Sequence, residues 1–296
     1  MPFLQLHVSL GDLDPESVED ACLAAGAIAV TLSDAGDTPI LEPAPGATPL
    51  WPSVALAALF DAGCEPAALA AGLRTALGRP ALAIRAEVLE DRLWEREWLR
   101  DFHPMRFGSR LWICPGGQPP PAADAAGTTP AIVWLDPGLA FGTGTHATTA
   151  LCLEWLDGAG LDGRRLLDVG CGSGILAIAA LVLGAGHAVA LDIDPQALLA
   201  SRENATRNGV EARLEVRAAA EPWGGEYDIV VANILAEPLI QLAPRFAAAT
   251  RRGGTLVLSG LLTEQGAAVA AACSAWFDME PPRERGGWAG LVGRRR

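Results

Sequence analysis

The sequence predicts an α/β protein in two parts, a small α+β domain followed by a larger doubly wound domain with a parallel sheet. A strand-helix-strand pattern occurs twice near the amino terminus, a glycine turn later joins an apolar strand to an apolar helix, and strands then alternate with helices. With 296 residues, 50% of them hydrophobic, the chain can bury a core in each part. The predicted boundaries are 1–90 for the small domain, 91–105 for a connecting helix or linker, and 106–296 for the large domain.

The first part, residues 1–90, is predicted as a ferredoxin-like α+β domain because its elements alternate as β, α, β, β, α, β. They are expected at Phe3 to Val8, Pro15 to Ala25, Ala27 to Leu32, Ser53 to Phe60, Pro66 to Leu77 and Ala81 to Leu89. This part carries 12 acidic residues against three arginines. Such a charge disfavours nucleic acid and fits a basic protein partner, although a merely solvated acidic surface remains an alternative.

The connecting segment carries two tryptophans, Trp94 and Trp98, which lie four residues apart. This spacing places both indoles on one face of a helix. Aromatic pairs with this spacing usually pack a helix against a domain, and contact of the two indoles with a cofactor is the less common alternative. A strand is then expected at Arg110 to Cys114, followed by a loop rich in proline, glycine and alanine at Pro115 to Pro130.

The second part contains a glycine turn that predicts a ligand site. Gly170, Gly172 and Gly174 alternate directly after an apolar strand, so the backbone can turn sharply and a ligand can approach where a Cβ would collide. The next strand ends at Asp192, about 20 residues on, where a carboxylate can accept both hydroxyls of a ribose. The pattern predicts a nucleoside or dinucleotide site at the carboxyl edge of the sheet.

A polar loop precedes this turn and ends at the start of another apolar helix. Phe141 and His146 lie in it among glycines and threonines, a composition that forms neither a stable helix nor a strand. In a doubly wound fold the loop lies above the crevice, so Phe141 is expected to cover an apolar part of the ligand and Thr149 to bind its polar end. The alternative is that Thr148 and Thr149 cap the helix, a role in which Phe141 and His146 have no purpose.

The composition excludes several chemistries. All 22 basic residues are arginine, so a Walker A loop, a protein kinase and Schiff-base catalysis are ruled out for want of a lysine. The six cysteines have no C-x-x-C spacing, which disfavours a metal site or a disulfide framework. We see neither a signal peptide nor a run long enough to span a membrane, and therefore expect a cytoplasmic protein without a membrane partner.

Seven segments, taken in order, resemble one family. They cover residues 94–98, 102–108, 111–115, 135–146, 168–180, 192–197 and 232–235. The segment that begins at Asp168, Asp-Val-Gly-Cys-Gly-Ser-Gly, is similar to the first motif of S-adenosylmethionine-dependent methyltransferases. The whole set resembles the bacterial methyltransferase of large-subunit ribosomal protein eleven, and the likeness runs nearly to Gly293. Two departures are visible, since Ala147 stands where proline is expected and the loop after Cys114 diverges.

The resemblance implies a Rossmann-like methyltransferase domain that uses S-adenosylmethionine as its cofactor. Family members methylate lysine ε-amines and the terminal α-amine of that ribosomal protein, and their amino-terminal domain recognises it. Carried onto this chain, Thr149, Gly170, Asp192 and Asn233 are cofactor-binding residues, to which the turn adds Gly172 and the loop adds Phe141. We expect the ribosomal protein as the partner, no direct nucleic acid, and a monomer.

Asn233 is the expected catalytic residue because it ends a predicted strand, Tyr227 to Asn233, at the crevice. Ile-Leu-Ala-Glu-Pro follows it where many amine and adenine methyltransferases carry Asn-Pro-Pro-Tyr, which favours a flexible amine over a planar nitrogen. His146 is a candidate path for the proton that the amine must lose. Two other interpretations stay open, an NAD-dependent oxidoreductase and a non-catalytic adaptor for a basic partner.

Overall fold

The computed structural model describes residues 2–36, 49–89, 103–121, 129–135 and 144–296. The chain divides into two compact units, Met1–Trp94 and Glu95–Arg296, called unit one and unit two below. Most of the predicted connecting helix lies outside the described residues. Only its last three positions are described, and none of them is helical, since His103 and Pro104 precede the strand that begins at Met105.

The described residues of unit one form a four-stranded antiparallel sheet with two helices. Its elements are β1 (Phe3–Ser9), α1 (Pro15–Ala24), β2 (Ala29–Asp34), β3 (Val54–Asp61), α2 (Pro66–Ala76) and β4 (Ile84–Leu89). The strand order is β2-β3-β1-β4, and each neighbouring pair is antiparallel. Leu4, Leu6 and Val8 of β1 are buried with Val18 of α1 and Leu73 of α2, since alternate side chains of a strand point to one face.

Both helices of unit one begin at a side-chain cap followed by proline. A carboxylate oxygen of Asp14 and one of Glu65 each accept a hydrogen bond from the backbone N–H three residues on, at 3.0 and 2.7 Å. Pro15 and Pro66 then occupy the first helical position, where no partner for an N–H is needed. These local interactions determine where the helices start, and both predicted starts are confirmed.

Unit two contains a small and a large sheet in its described residues. Its strands are β5 (Met105–Phe107), β6 (Leu111–Pro115), β7 (Ala131–Leu135), β8 (Arg165–Val169), β9 (His187–Asp192), β10 (Leu214–Ala218), β11 (Tyr227–Asn233), β12 (Thr250–Leu262), β13 (Phe277–Met279), β14 (Arg283–Arg285) and β15 (Trp288–Arg295). Its α-helices are α3 (Ala147–Gly158), α4 (Ile175–Val182), α5 (Pro195–Arg207), α6 (Ala236–Ala249) and α7 (Gly266–Cys273). The mixed α/β fold predicted from the sequence is confirmed.

The large sheet has the order β10-β9-β8-β11-β12-β15-β13, with β14 paired to β15. Strands β8 to β12 are parallel, whereas β15 is antiparallel to its neighbours. The chain moves outward from β8 to β10 and then returns to the other side of β8 as β11. Ligands of such sheets bind outside the carboxyl ends of the strands at this reversal of strand order, here between β8 and β11.

Helices cover both faces of the large sheet. Helices α3 and α4, with the small sheet, enclose one hydrophobic core, and α6 and α7 enclose the other. Helix α4 is apolar on all sides because nearly every residue of it is buried between β8, β9 and β7. It is only 8 residues long, and no helix within the described ranges has the length and apolarity of a membrane span.

Three short strands, β5, β7 and β14, lie where none is expected from the sequence. The β5–β6 turn depends on Asp157, a residue of α3 whose carboxylate accepts hydrogen bonds from Ser109 Oγ at 2.9 Å and from the N–H of Leu111 at 3.0 Å. These partners are 48 and 46 residues away, so no local pattern predicts them.

Candidate active site

The predicted site residues meet at the carboxyl ends of three neighbouring strands. Gly170 follows β8, Asp192 ends β9 and Asn233 ends β11. Thr149, in the first turn of α3, reaches the same edge, where its Oγ1 accepts a hydrogen bond from Asn233 Nδ2 at 3.2 Å. Phe141 lies outside the described residues. The other predicted residues therefore surround one crevice at the reversal of strand order.

The glycine turn has the conformation for which its glycines are expected. Gly170, Gly172 and Gly174 all have positive φ, at 78°, 54° and 80°. The N–H of Gly170 donates to the Leu191 carbonyl at 2.8 Å, which ties the turn to β9. A Cβ at Gly170 would collide with the side chain of Ile234, the residue after Asn233. A larger residue would therefore strain the backbone and push the segment that carries Asn233.

Asp192 is held by backbone groups and still has acceptor capacity. Its Oδ2 accepts from the N–H of Gly172 at 2.9 Å, and its Oδ1 accepts from the N–H of Asp194 at 3.0 Å. A carboxylate oxygen has two acceptor positions, so each oxygen keeps one for a ribose hydroxyl. The next residue, Ile193, is 91% exposed. Its apolar side chain beside this acid offers a cover for a base.

Asp168 lies beneath the turn and is fully buried. Its Oδ2 accepts from the N–H of Ala177 at 3.1 Å, and its Oδ1 has no hydrogen-bond partner among the described residues. Burial raises the pKa of Asp168 to about 7, the hydrogen bond from Ala177 opposes this rise, and the nearby charge of Asp192 adds to it. Two buried thiols, Cys152 and Cys171, lie near it, and burial raises the pKa of each. The acid that is expected to bind the ribose, Asp192, therefore acts electrostatically on the buried carboxyl group of Asp168.

Replacing Asp168 by asparagine should remove a pH dependence of stability. The folded pKa of about 7 lies above the ordinary value of 3.8, so folding takes up a proton between these values and the free energy of unfolding falls as pH rises toward 7. Between pH 5 and pH 8 this decline amounts to about 2 to 3 kcal/mol. Urea unfolding of both proteins at the two pH values measures it. An equal decline in Asp168→Asn would contradict the assignment.

His146 has a role that the sequence does not predict, since it is the N-cap of α3. Its Nδ1 accepts from the N–H of Thr148 at 3.4 Å and lies 2.8 Å from Thr148 Oγ1. The expectation that a histidine here has no purpose in a cap is therefore wrong, and Thr148 and Thr149 lie in the first turn instead of capping it. The ring also meets Trp288 edge to face, with centroids 4.6 Å apart.

Two further residues of this edge escape sequence reasoning. An apolar residue directly after a strand-ending acid is a signal that identifies Ile193. No sequence signal identifies Trp288. It lies at the start of β15, and the antiparallel pairing of β15 with β12 is what brings it to His146. Leu235, which follows the strand that ends at Asn233, is 55% exposed and adds an apolar surface near the crevice.

The residues at this edge fit an adenosyl group. Asp192 offers acceptors to a ribose, Ile193 offers an apolar cover to a base, and the glycine turn leaves room for close approach. The sheet also departs from the six-stranded parallel order of dinucleotide-binding folds, because antiparallel β15 is inserted between β12 and β13. The polar pair Thr149 and Asn233 lies in the same crevice, on the helix α3 and on β11.

Comparison with known proteins identifies the family. The family model described as "Ribosomal protein L11 methyltransferase (PrmA)" matches residues 2–296. This chain belongs to the ribosomal protein L11 methyltransferase family. Proteins named ribosomal protein L11 methyltransferase from Pseudomonas aeruginosa (strain LESB58) and Pseudomonas putida (strain GB-1) are 53% and 52% identical to it over 297 residues, which is 100% of this chain and 99% and 100% of theirs.

A solved structure agrees with the assignment to the ribosomal protein L11 methyltransferase family. The crystal structure of ribosomal protein L11 methylase from Lactobacillus delbrueckii subsp. bulgaricus aligns with a TM-score of 0.59 and 34% identity, over 66% of this chain and 100% of that chain. The family predicted from the seven segments is confirmed. Of the three interpretations left open by the residues, an enzyme that uses S-adenosylmethionine agrees with this family, whereas an oxidoreductase and a non-catalytic adaptor do not.

Proposed function

We propose that this protein transfers methyl groups from S-adenosylmethionine to amino groups of ribosomal protein L11. The observation that carries the proposal is the meeting of Gly170, Asp192 and Asn233 at the reversal of strand order in a member of this family. The family implies lysine ε-amines and the terminal α-amine as the acceptors. The segment after Asn233 is consistent with a flexible amine, because it lacks the Pro-Pro-aromatic sequence that grips a planar nitrogen. We expect the reaction in the cytoplasm, where ribosomes are assembled.

The adenosine end of the cofactor belongs on the β9 side of the crevice. Asp192 accepts the ribose hydroxyls, and Gly172 keeps that carboxylate in place through its N–H. Ile193 covers the base, and the positive φ of Gly170 allows close approach of the ligand. Phe141 is retained in the cofactor-binding set on the sequence argument alone.

Asn233 orients the amine. When bound, S-adenosylmethionine supplies a methyl group that its sulfonium makes electrophilic, so the protein has to align a lone pair and exclude water. The Nδ2 of Asn233 donates to Thr149 Oγ1, which leaves its Oδ1 to accept an N–H of the incoming amine. An amide carries no charge, so it aligns the amine without favouring the protonated ammonium as a carboxylate would.

The amine must lose a proton before it can attack. A lysine with a pKa of about 10.4 is mostly protonated at neutral pH, and partial burial beside the apolar side chain of Leu235 favours its neutral form. His146 is the candidate path for this proton. Because its Nδ1 accepts from the N–H of Thr148, the neutral ring carries its proton on Nε2. The ring can therefore take up the amine's proton only when Nδ1 leaves that hydrogen bond, and Nε2 then releases its own proton to solvent.

Methyl transfer to purified ribosomal protein L11 tests the proposed function. With S-adenosylmethionine as donor, mass spectrometry should detect added methyl groups on lysines and on the amino terminus of L11. Adenine in DNA and glutamine in a release factor serve as controls and should stay unmodified. Modification of either control, or none on L11, would overturn the proposal.

We infer that unit one is a ferredoxin-like domain that recognises the ribosomal protein. Its strand order, β2-β3-β1-β4 with two strand-helix-strand repeats, supports the ferredoxin-like assignment. Residues 1–90 hold 12 of the 35 acidic residues and only three of the 22 arginines. Proteins that bind ribosomal RNA carry basic surfaces, which such an acidic domain attracts. The boundaries at 90 and 105 stay predictions.

Removing residues 1–90 should separate cofactor binding from substrate recognition. A protein that begins at Asp91 is expected to bind S-adenosylmethionine as the full chain does, but to methylate micromolar L11 far more slowly. Added salt should slow the full-length reaction, because charges are screened beyond about 10 Å at 0.1 M. A short lysine peptide is the matched control and should react equally with both proteins. Equal rates on intact L11 would place recognition in unit two.

A further inference from the structure

A second concave site lies on unit two, near the amino ends of the strands of the large sheet, whereas the crevice lies at their carboxyl ends. It is a pocket of about 310 Å³ whose lining includes Ile229 of β11 and its pairing partner Thr255 of β12. Asn233 is four residues further along β11, about 13 Å away at the rise of a strand. We call it the arginine pocket, because Arg164, Arg283 and Arg294 also line it.

The arginine pocket has a surplus of positive charge. The side chains of Arg283 and Arg294 have neither a hydrogen bond nor an ion pair with any described residue, whereas the acid in the pocket's lining, Glu154, is bound by Arg285 at 2.6 Å. Arg164 lies 3.6 Å from Asp228, but that carboxylate is also bound by Arg251, at 2.5 Å. These two acids, Glu154 and Asp228, are therefore matched by other arginines, and within the described ranges two lining guanidinium groups have no partner.

The pairing of the last strands explains why these arginines face one pocket. Arg283 and Arg285 alternate along β14, so both point to the side on which Arg285 meets Glu154 of α3. Arg294 of β15 pairs in register with Thr255, and both residues line the pocket. Positive charges that face one concavity make its electrostatic potential more positive. The chain has a net charge of −13, so this pocket is a place where anions are attracted to an otherwise acidic protein.

The geometry points to the arginine pocket as a binding site for a phosphate group, carried by a free nucleotide or by RNA. Guanidinium groups match phosphate oxygens with paired N–H donors, and no residue in the described part of the chain occupies the side-chain donors of Arg283 and Arg294. Trp155 also lines the pocket, and an indole gives a base a surface on which to stack. The volume lies at the lower end of the range for small-ligand sites. This site goes beyond the proposed methyl transfer and departs from the sequence expectation of no nucleic-acid contact.

Titration calorimetry on the full-length protein tests the site, with pyrophosphate, adenosine monophosphate and a ten-nucleotide single-stranded RNA as probes. Arg283→Ala and Arg294→Ala should each weaken binding by at least about tenfold, since each removes charge-assisted hydrogen bonds to phosphate. Arg202→Ala makes the same change of charge beside β10, at the other end of the sheet, and should bind as the parent does. Tight binding of adenosine monophosphate indicates that a free nucleotide carries the phosphate group. Binding of the RNA alone indicates that the phosphate group belongs to RNA.

Three outcomes would overturn this proposal. They are the absence of binding of all three probes at millimolar concentration, unchanged binding in Arg283→Ala and Arg294→Ala, and an equal loss in Arg202→Ala, which would mean nonspecific attraction. Neither pocket variant touches the crevice, so S-adenosylmethionine binding and methylation of L11 should be unchanged in both. Failure of methyl transfer in the parent protein would leave the result for the arginine pocket standing.

Discussion

Replacing Asn233 by alanine should lower methyl transfer to ribosomal protein L11 by about a hundredfold, because a misplaced acceptor loses its alignment with the methyl group. Asn233 ends β11 at the crevice, and among the described residues its side chain makes one hydrogen bond, to Thr149 Oγ1. The loss of this bond should lower the free energy of unfolding by only about 1 kcal/mol. Single-turnover rates at saturating cofactor, measured beside thermal melting, separate the two effects. A rate within threefold of the parent, with folding intact, would refute the role of Asn233.

Asn233→Asp distinguishes orientation of the amine from general disruption of the site. The carboxylate has nearly the same shape, and the Thr149 hydroxyl can turn to donate to it. Its charge stabilises the protonated amine, so the amine pKa rises and the pH–rate profile should move to higher pH. Activity should therefore be low at neutral pH and recover in alkaline buffer. If the profile keeps its position, the side chain does not face the amine.

Replacing Asp192 by alanine should weaken S-adenosylmethionine binding by at least about tenfold. The carboxylate offers charged acceptors to two ribose hydroxyls, and one such hydrogen bond contributes about 1.5 to 3 kcal/mol. It also holds the N–H groups of Gly172 and Asp194, so its loss loosens the glycine turn as well. Titration calorimetry of the folded variant gives the change in affinity.

Asp194→Ala is the matched control for Asp192→Ala. Asp194 lies two residues further on and caps α5, where its Oδ1 accepts from the N–H of Gln196 at 2.9 Å. Its removal takes the same charge from the same loop and should cost about 1 kcal/mol of stability with little effect on cofactor affinity. Equal losses of affinity in both variants would mean that the general charge of this loop, and no specific contact with ribose, is responsible.

Much of the crevice could be predicted because its residues lie at the ends of strands. Gly170, Asp192 and Asn233 follow apolar runs, and the carboxyl ends of parallel strands meet at one edge of the sheet. The cap that His146 forms was not expected, although its partner Thr148 is only two residues away, because histidine is not among the residues that usually cap a helix. Its contact with Trp288 could not be identified in advance, because Trp288 comes from β15. The short strand β7 was missed because its Trp134 depends on the side chain of Asn208, 74 residues away.

The sequence by itself determined the features that depend on near neighbours. Helix starts follow from a cap and a proline, as at Asp14 and Pro15, and the turn at Gly170 follows from a positive φ that glycine adopts without strain. Only the tertiary structure decided which distant groups meet. The hydrogen bond between Thr149 and Asn233 spans 84 residues, and the arginine pocket joins the end of α3 to β14 and β15. Such contacts depend on strand order and register, which are set by packing of the whole sheet and not by any short stretch of chain.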